Sequence, residues 1–146
     1  MPRSSLEDER FAHITIVLER LFRKTLEAQL EPHGVPYGHW VFLRILWQEE
    51  GLSQRELADR AGLTTPTTHT AISKMEALGT VTRIVPEGNT TRPLIYLTDH
   101  GRALKEVLEP LAVSINAVAS EGVPREDLAT TKATMLRMIE SLGKAT

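Results

Sequence analysis

The chain has no cysteine in its 146 residues. Disulfides, thiolate zinc sites, iron–sulfur clusters and thiol redox switches are therefore excluded. It also lacks any uninterrupted apolar run near the roughly 18 residues a membrane span requires. Residues 1–10 alternate acids and bases without the apolar stretch of a secretory signal. The expectation is a soluble, cytoplasmic protein with no membrane partner. Signatures of catalysis are missing as well. His13, His33, His39, His69 and His100 show no His-x-x-x-His spacing, and Gly-x-Ser-x-Gly and phosphate-loop glycines do not occur. His33 and His39 flank a proline loop, which is too little to make a zinc site. The chain is too short for a barrel enzyme or a two-domain dinucleotide enzyme. It is read as non-enzymatic, with no catalytic residue, metal or cofactor.

No single charge sign dominates: 17 bases stand against 19 acids, a net charge of −2. The distribution is uneven, however. Residues 53–92 hold five bases (Arg55, Arg60, Lys74, Arg83, Arg92) and four acids, while the remainder holds 12 bases and 15 acids. The middle of the chain is mildly basic and its ends are acidic.

Hydrophobic periodicity supplies the elements. Residues 9–30 read as a long helix, with Ile14, Leu18, Leu21, Thr25 and Ala28 at spacings of three and four. Pro32 and Gly34 end it, and Pro36 opens the next. From 40 to 47 every residue except Arg44 is apolar, which predicts a helix buried all round at the centre of the fold. Gly51 closes that helix. Ser53-Gln54-Arg55-Glu56 is a capping box, in which the Ser53 hydroxyl accepts from the Glu56 amide and the Glu56 carboxylate reaches back to the Ser53 amide. Ala61-Gly62-Leu63 makes a tight turn, and Thr65-Pro66 opens a further helix. Thr68, Ala71, Ile72 and Met75 form its inward stripe, and Leu78-Gly79 ends it. Residues 80–85 and Leu94–Leu97 are rich in β-branched and aromatic side chains, with Pro86-Glu87-Gly88-Asn89 between them, which predicts a β-hairpin. Thr98 caps a helix carrying a heptad stripe, Leu104, Leu108, Leu111, Ile115 and Val118, which Pro110 should bend. A last helix runs to about residue 142, with Leu128, Met135 and Leu142 in seven-residue steps.

Two helices joined by a glycine turn and followed by a hairpin make a winged helix-turn-helix: a mainly α fold with a small β-hairpin wing. In that motif the first helix braces across the DNA backbone and the second enters the major groove. The groove is about 12 Å wide, so the entering helix needs a small polar outer face. With the inward stripe fixed, Pro66, Thr70, Ser73, Lys74 and Ala77 point outward, and Thr67 and His69 fall on the flanks. Gln54 and Arg55 are placed to meet phosphates, and Arg92 to reach the flanking minor groove. Threonine is a poor helix former. Thr64, Thr65, Thr67, Thr68 and Thr70 crowd one helix start, and capping accounts for one or two of them; the rest favour DNA contact over a plain solvated face. A winged helix used for protein association without DNA is the alternative. It calls for large apolar residues on the outer face, where Thr70, Ser73 and Lys74 stand.

The stretches LSQRELADRAGLTTPTTHTAISKMEALGTVTR and RPLIYLTDHG, within 52–101, resemble the core of the MarR family of transcriptional regulators. The flanking long helices resemble that family's dimerisation arms. The resemblance implies an N-terminal dimerisation helix over 1–35, a winged helix-turn-helix over 36–100 and C-terminal dimerisation helices over 101–146. It further implies a homodimer on a pseudo-palindromic operator in double-stranded DNA, acting as a repressor released by a small aromatic or phenolic carboxylate. The family's recognition-helix positions fall on Thr65, Thr67, Thr70 and Lys74, and its basic residue leading into the hairpin on Arg83. The family's Asp-Arg-Arg-like wing tip is replaced here by Asn89-Thr90-Thr91-Arg92, so its aspartate–arginine brace cannot form as usual, and weaker or re-registered minor-groove contact is expected; few phosphate-neutralising bases also predict a shallow salt dependence. By position, Tyr37, His39, Trp40 and Arg44 line the family's effector pocket. Arg44 suits a bidentate carboxylate; the other readings are an internal pair with Glu19, Glu109 or another acid, or a snorkelling side chain. His39 is expected to satisfy a backbone carbonyl, and Trp40 and Trp47 to be core, although an aromatic wall also suits an aromatic effector.

Overall fold

The computed structural model describes residues 2–88 and 92–146, leaving aside the side chain of Ser4. Three wing-tip residues, Asn89, Thr90 and Thr91, lie outside the described residues. The chain divides into two compact units, Met1–Ala112 and Val113–Thr146.

The first unit opens with helix α1 (Phe11–Leu30), which passes into a short 3-10 turn closed by Gly34 at φ +71°. The face it buries differs from the expected stripe. Val17, Leu26 and Leu30 are buried, whereas Ile14, Leu18 and Leu21 are exposed. The helix thus carries two apolar faces, and one chain covers only one of them. Helix α2 (Tyr37–Gln48) supplies the centre of the core through Trp40, Phe42, Leu43 and Leu46. Each such side chain, fully buried, stabilises by about 1.5–3 kcal/mol. Burial is not complete all round, because Arg44 faces solvent.

Helix α3 (Gln54–Ala61) starts where the cap chemistry places it: the Ser53 hydroxyl accepts from the Glu56 amide at 3.1 Å. The return bond from the Glu56 carboxylate is absent among the described residues. Gly62, at φ +67°, ends the helix by donating to the Ala58 and Asp59 carbonyls, a conformation open to glycine at no steric cost. Helix α4 (Thr65–Ala77) follows, capped by Thr64 with Pro66 in its first turn. Thr68, Ile72 and Met75 are buried and Ala71 half-buried.

The wing is a three-stranded antiparallel sheet rather than a simple hairpin. Strands β1 (Leu52–Ser53), β2 (Val81–Ile84) and β3 (Leu94–Leu97) lie in the order β1-β3-β2, with Leu52 opposite Ile95 and Val81 opposite Leu97. Strand β1 has no periodicity to detect; two residues become a strand only because β3 lies beside them. Leu52, Val81, Ile95 and Leu97 are buried.

Helix α5 (Asp99–Ala119) begins in the first unit and runs through Pro110. Its start is tied down closely. The Thr98 hydroxyl donates to the Gly79 carbonyl and accepts from the Gly101 amide, and the Trp47 indole N–H donates to the Gly101 carbonyl at 3.0 Å. Glu50 joins β3 to this start, accepting from the Leu97 amide at 2.8 Å and from Arg102 at 2.9 Å. Burial pushes the Glu50 carboxyl up, but the bonds from Arg102 and Leu97 more than offset it, and the group is held below its ordinary value. In the second unit, α6 (Arg125–Ala145) buries none of its side chains: Leu128, Met135, Leu136, Ile139 and Leu142 are all exposed. No helix among the described residues is long and apolar enough to cross a membrane.

Candidate nucleic-acid interface

The outer face of α4 is built from small polar side chains because the opposite face is fixed by burial. Thr65, Pro66, Thr67, His69, Thr70 and Lys74 are exposed, and Ser73 is half-buried. Three of the five threonines bond to backbone, more than capping alone predicts. Thr64 accepts from the Thr67 amide, the buried Thr68 donates to the Thr64 carbonyl at 2.9 Å, and Thr70 donates to the Pro66 carbonyl at 3.1 Å. The proton of Thr70 is thereby committed, leaving its oxygen to accept from a partner. Thr67 accepts from the Thr64 hydroxyl at 2.9 Å, leaving its own proton to donate outward.

Arg83, the basic residue leading into the hairpin, turns into the fold. Its side chain is only 19% exposed and pairs with Glu76 at 2.9 Å. The same guanidinium donates to the Ser73 hydroxyl at 3.1 Å and to the Gln54 Oε1 at 3.4 Å. His69 Nδ1 lies 3.1 Å from that same oxygen. A clasp of five side chains thus fixes α4 against the start of α3 and against β2. Glu76 and the inward reach of His69 were not legible in the sequence, since the partners come from separate elements.

Beside the clasp lies a cleft of about 550 Å³ lined by Ser53, Gln54, Arg55, His69, Arg83, Arg92 and Pro93. Three arginines line it and, among the described residues, no acidic residue does, although Arg83 is itself paired with Glu76. Such a lining suits phosphate oxygens, which arginine meets with paired N–H donors. Gln54 and Arg55, expected at phosphates, and Arg92, expected at the flanking minor groove, line this one cleft. Thr67, Thr70 and Lys74 share the adjoining helix face, and Thr65 is exposed at the helix start.

Residues 43–82 match a family model described as winged helix-turn-helix DNA-binding. The chain is 29% identical over 137 residues to the HTH-type transcriptional repressor Mb2911 of Mycobacterium bovis, covering 94% of this chain and 96% of that one. It is 28% identical over 111 residues to the HTH-type transcriptional regulator TtmR of Methylorubrum extorquens. That match spans 76% of this chain and 57% of the relative's length. A MarR transcriptional regulator from Methanosarcina mazei superimposes with a TM-score of 0.84 at 24% identity, covering 95% of this chain and 94% of that one. Residues 43–82 are thus a winged helix-turn-helix, and the chain has the fold of the MarR regulator it superimposes on. A MarR family regulator from Listeria monocytogenes, solved with a 26mer DNA, has the same fold (TM-score 0.83, 18% identity, 93% and 91% covered). So does NadR, solved with 4-hydroxyphenylacetate (TM-score 0.71, 20% identity, 94% and 97% covered).

In this chain the four residues placed at an effector pocket do not gather. Tyr37 lies half-buried under Arg23, whose Cζ is 5.9 Å from the ring centroid, and lines a groove of about 510 Å³ with Glu27, Glu31, Gly34, Val35 and Pro36. His39, Trp40 and Arg44 are not in that lining. Trp40 is buried, edge-on to Trp47 with centroids 5.6 Å apart, as a core residue should be. Of the readings of Arg44, the internal pair does not form among the described residues. Glu19 is taken by Arg23 at 3.0 Å, and Arg44 has no ion pair among the described residues.

His39 also departs from expectation: it is 6% exposed, yet no carbonyl accepts from it among the described residues. Burial, and secondarily the charge of Lys74, hold its pKa below the ordinary histidine value. The folded protein therefore keeps this imidazole neutral where the unfolded chain begins to take up a proton, below about pH 6.5. The stability it contributes is complete above that pH, declines as pH falls through the window, and levels off beneath the folded pKa. The wild-type Tm should accordingly fall more steeply than that of His39→Gln between about pH 7.5 and 5.5. Parallel curves for the two proteins would refute the assignment.

Proposed function

We propose that the protein is a transcriptional repressor that binds a pseudo-palindromic operator in double-stranded DNA as a homodimer and leaves it when a small aromatic or phenolic carboxylate binds. The observation that carries this reading is the small polar face of α4 beside a cleft lined by Arg55, Arg83 and Arg92 and, among the described residues, by no acidic residue. In this reading Thr65, Thr67, Thr70 and Lys74 approach base edges, Gln54, Arg55 and Arg92 meet phosphates and the flanking groove, and Ser73 and Arg83 hold the helix in place. The name of the Mb2911 repressor and the DNA bound to the Listeria regulator support it. The 4-hydroxyphenylacetate bound to NadR supports an effector of that class, for which Tyr37 and Arg44 are the accessible candidates. A dimer accounts for the uncovered apolar residues of α6 and of the outer face of α1, since such stripes are stable only when another helix covers them. In this reading the protein acts in the cytoplasm. Protein association without DNA is disfavoured by the absence of large apolar residues at Thr70, Ser73 and Lys74.

The test is fluorescence anisotropy on the duplex upstream of the protein's own gene, against a scrambled duplex, across a salt series. The native duplex should bind roughly a hundred-fold more tightly, with a dimer mass by light scattering. Aromatic acids titrated into that complex should lower the anisotropy. Equal, weak binding to both duplexes would overturn the operator reading and bring protein association forward.

A further inference from the structure

We infer that His69 reads a base edge as a hydrogen-bond acceptor, in a tautomer imposed by Gln54 and Arg83; the inference rests on the DNA-binding reading above. Two groups converge on one atom. Arg83 has only N–H donors, so the atom its Nη2 approaches at 3.4 Å must be the Gln54 amide oxygen and not the nitrogen. An oxygen there can only accept, so His69 Nδ1, 3.1 Å from it, must carry the ring proton. A neutral imidazole has one N–H, and Nε2 is therefore left with a bare lone pair. This is the reverse of the tautomer that free histidine prefers.

The assembly that sets this state is held on several sides. Arg83 is locked by Glu76 at 2.9 Å and by Ser73 at 3.1 Å, and Gln54 is half-buried at the first turn of α3. His69 itself is exposed on α4, and Nε2 has no partner among the described residues. In the major groove the complement of a bare acceptor is an exocyclic amino group, carried by adenine at N6 and by cytosine at N4. Guanine and thymine present O6, N7 and O4, which are acceptors and repel it. His69 thus selects an amino-bearing base at one position of each half-site, and Gln54 is the positioning residue that makes it do so.

The first test is made on the DNA-free protein. Long-range ¹H–¹⁵N correlation of the imidazole should show the Nδ1–H tautomer at His69, and Gln54→Leu should return it toward Nε2–H. The second is an operator position scan by anisotropy with wild type, His69→Ala and Gln54→Leu. Wild type should prefer adenine or cytosine at one position per half-site by about ten-fold. Replacing that base by its analogue lacking the amino group should cost the same factor and show which of the two is read. His69→Ala should flatten the preference at that position, and Gln54→Leu should admit guanine or thymine there. An Nε2–H signal at His69 in wild type, a preference unchanged in His69→Ala, or a loss uniform across all sequences with a shallower salt slope would overturn the inference while leaving DNA binding intact. Failure of wild type to discriminate any duplex would instead overturn the DNA-binding reading, and this inference with it.

Discussion

Thr70→Glu combined with Lys74→Glu should lower operator affinity by at least about a hundred-fold while the protein remains a folded dimer. Both positions are exposed on the outer face of α4, and neither touches the inward stripe of Thr68, Ile72 and Met75. Among the described residues the side-chain bond lost is the one from Thr70 to the Pro66 carbonyl, at an exposed site. Folding should therefore change by less than about 1 kcal/mol. Binding should change far more, because one cation is removed and two carboxylates enter a groove flanked by phosphates. Anisotropy measures the affinity, and light scattering and circular dichroism report the dimer and the helix content. An affinity within a few-fold of wild type would show that this face does not enter the groove.

Gly101→Ala should be among the most damaging single substitutions in the chain, although it adds one methyl group. A β-carbon at 101 would lie 2.1 Å from the Thr80 carbonyl oxygen and 3.1 Å from Leu97 Cδ2. The backbone oxygen cannot retreat freely, because it accepts from the Thr98 amide at 3.1 Å. Nor can the helix back away without losing the Trp47 bond to the Gly101 carbonyl and the Thr98 cap. Overpacking against such fixed groups costs about 3 kcal/mol, which lowers Tm by roughly 10 °C for a chain of this size. Gly143→Ala is the control. It lies in α6 with no atom within 4 Å of the added carbon, and alanine is the better helix former by about 1 kcal/mol. Thermal melts of the two variants should move in opposite directions, and equal Tm values would refute the close-approach argument. The glycine of the Leu97-Thr98-x-x-Gly101 stretch is required by this approach of helix to strand.

The parts of the interface that were legible in the sequence are those set by neighbours along the chain. The Ser53 cap, the Gly62 turn, the Thr64–Pro66 helix start and the four-residue stripe of α4 each need only a few consecutive residues, and they appear where the pattern places them. The outer face of α4 follows directly, because burying one side of a helix leaves the other side out. Arg83 was legible as a basic residue but not in its role. Its partners Glu76, Ser73 and Gln54 stand 7, 10 and 29 positions away on other elements, and no local pattern announces such a meeting. Tyr37, His39, Trp40 and Arg44 show the converse. They are close in sequence, yet α2 sends them to different depths, from the buried Trp40 to the exposed Arg44.

The sequence by itself determined the winged helix-turn-helix order, the caps and the polar outer face of α4, because periodicity and capping are short-range physics written in consecutive residues. The tertiary structure alone decided that Leu52–Ser53 is a strand, that α1 covers Val17 and Leu26 while leaving Ile14 and Leu18 outside, and that Gln54, His69, Ser73, Glu76 and Arg83 form one clasp. Those outcomes depend on which elements meet and at what distance, and that is settled only when the whole core packs.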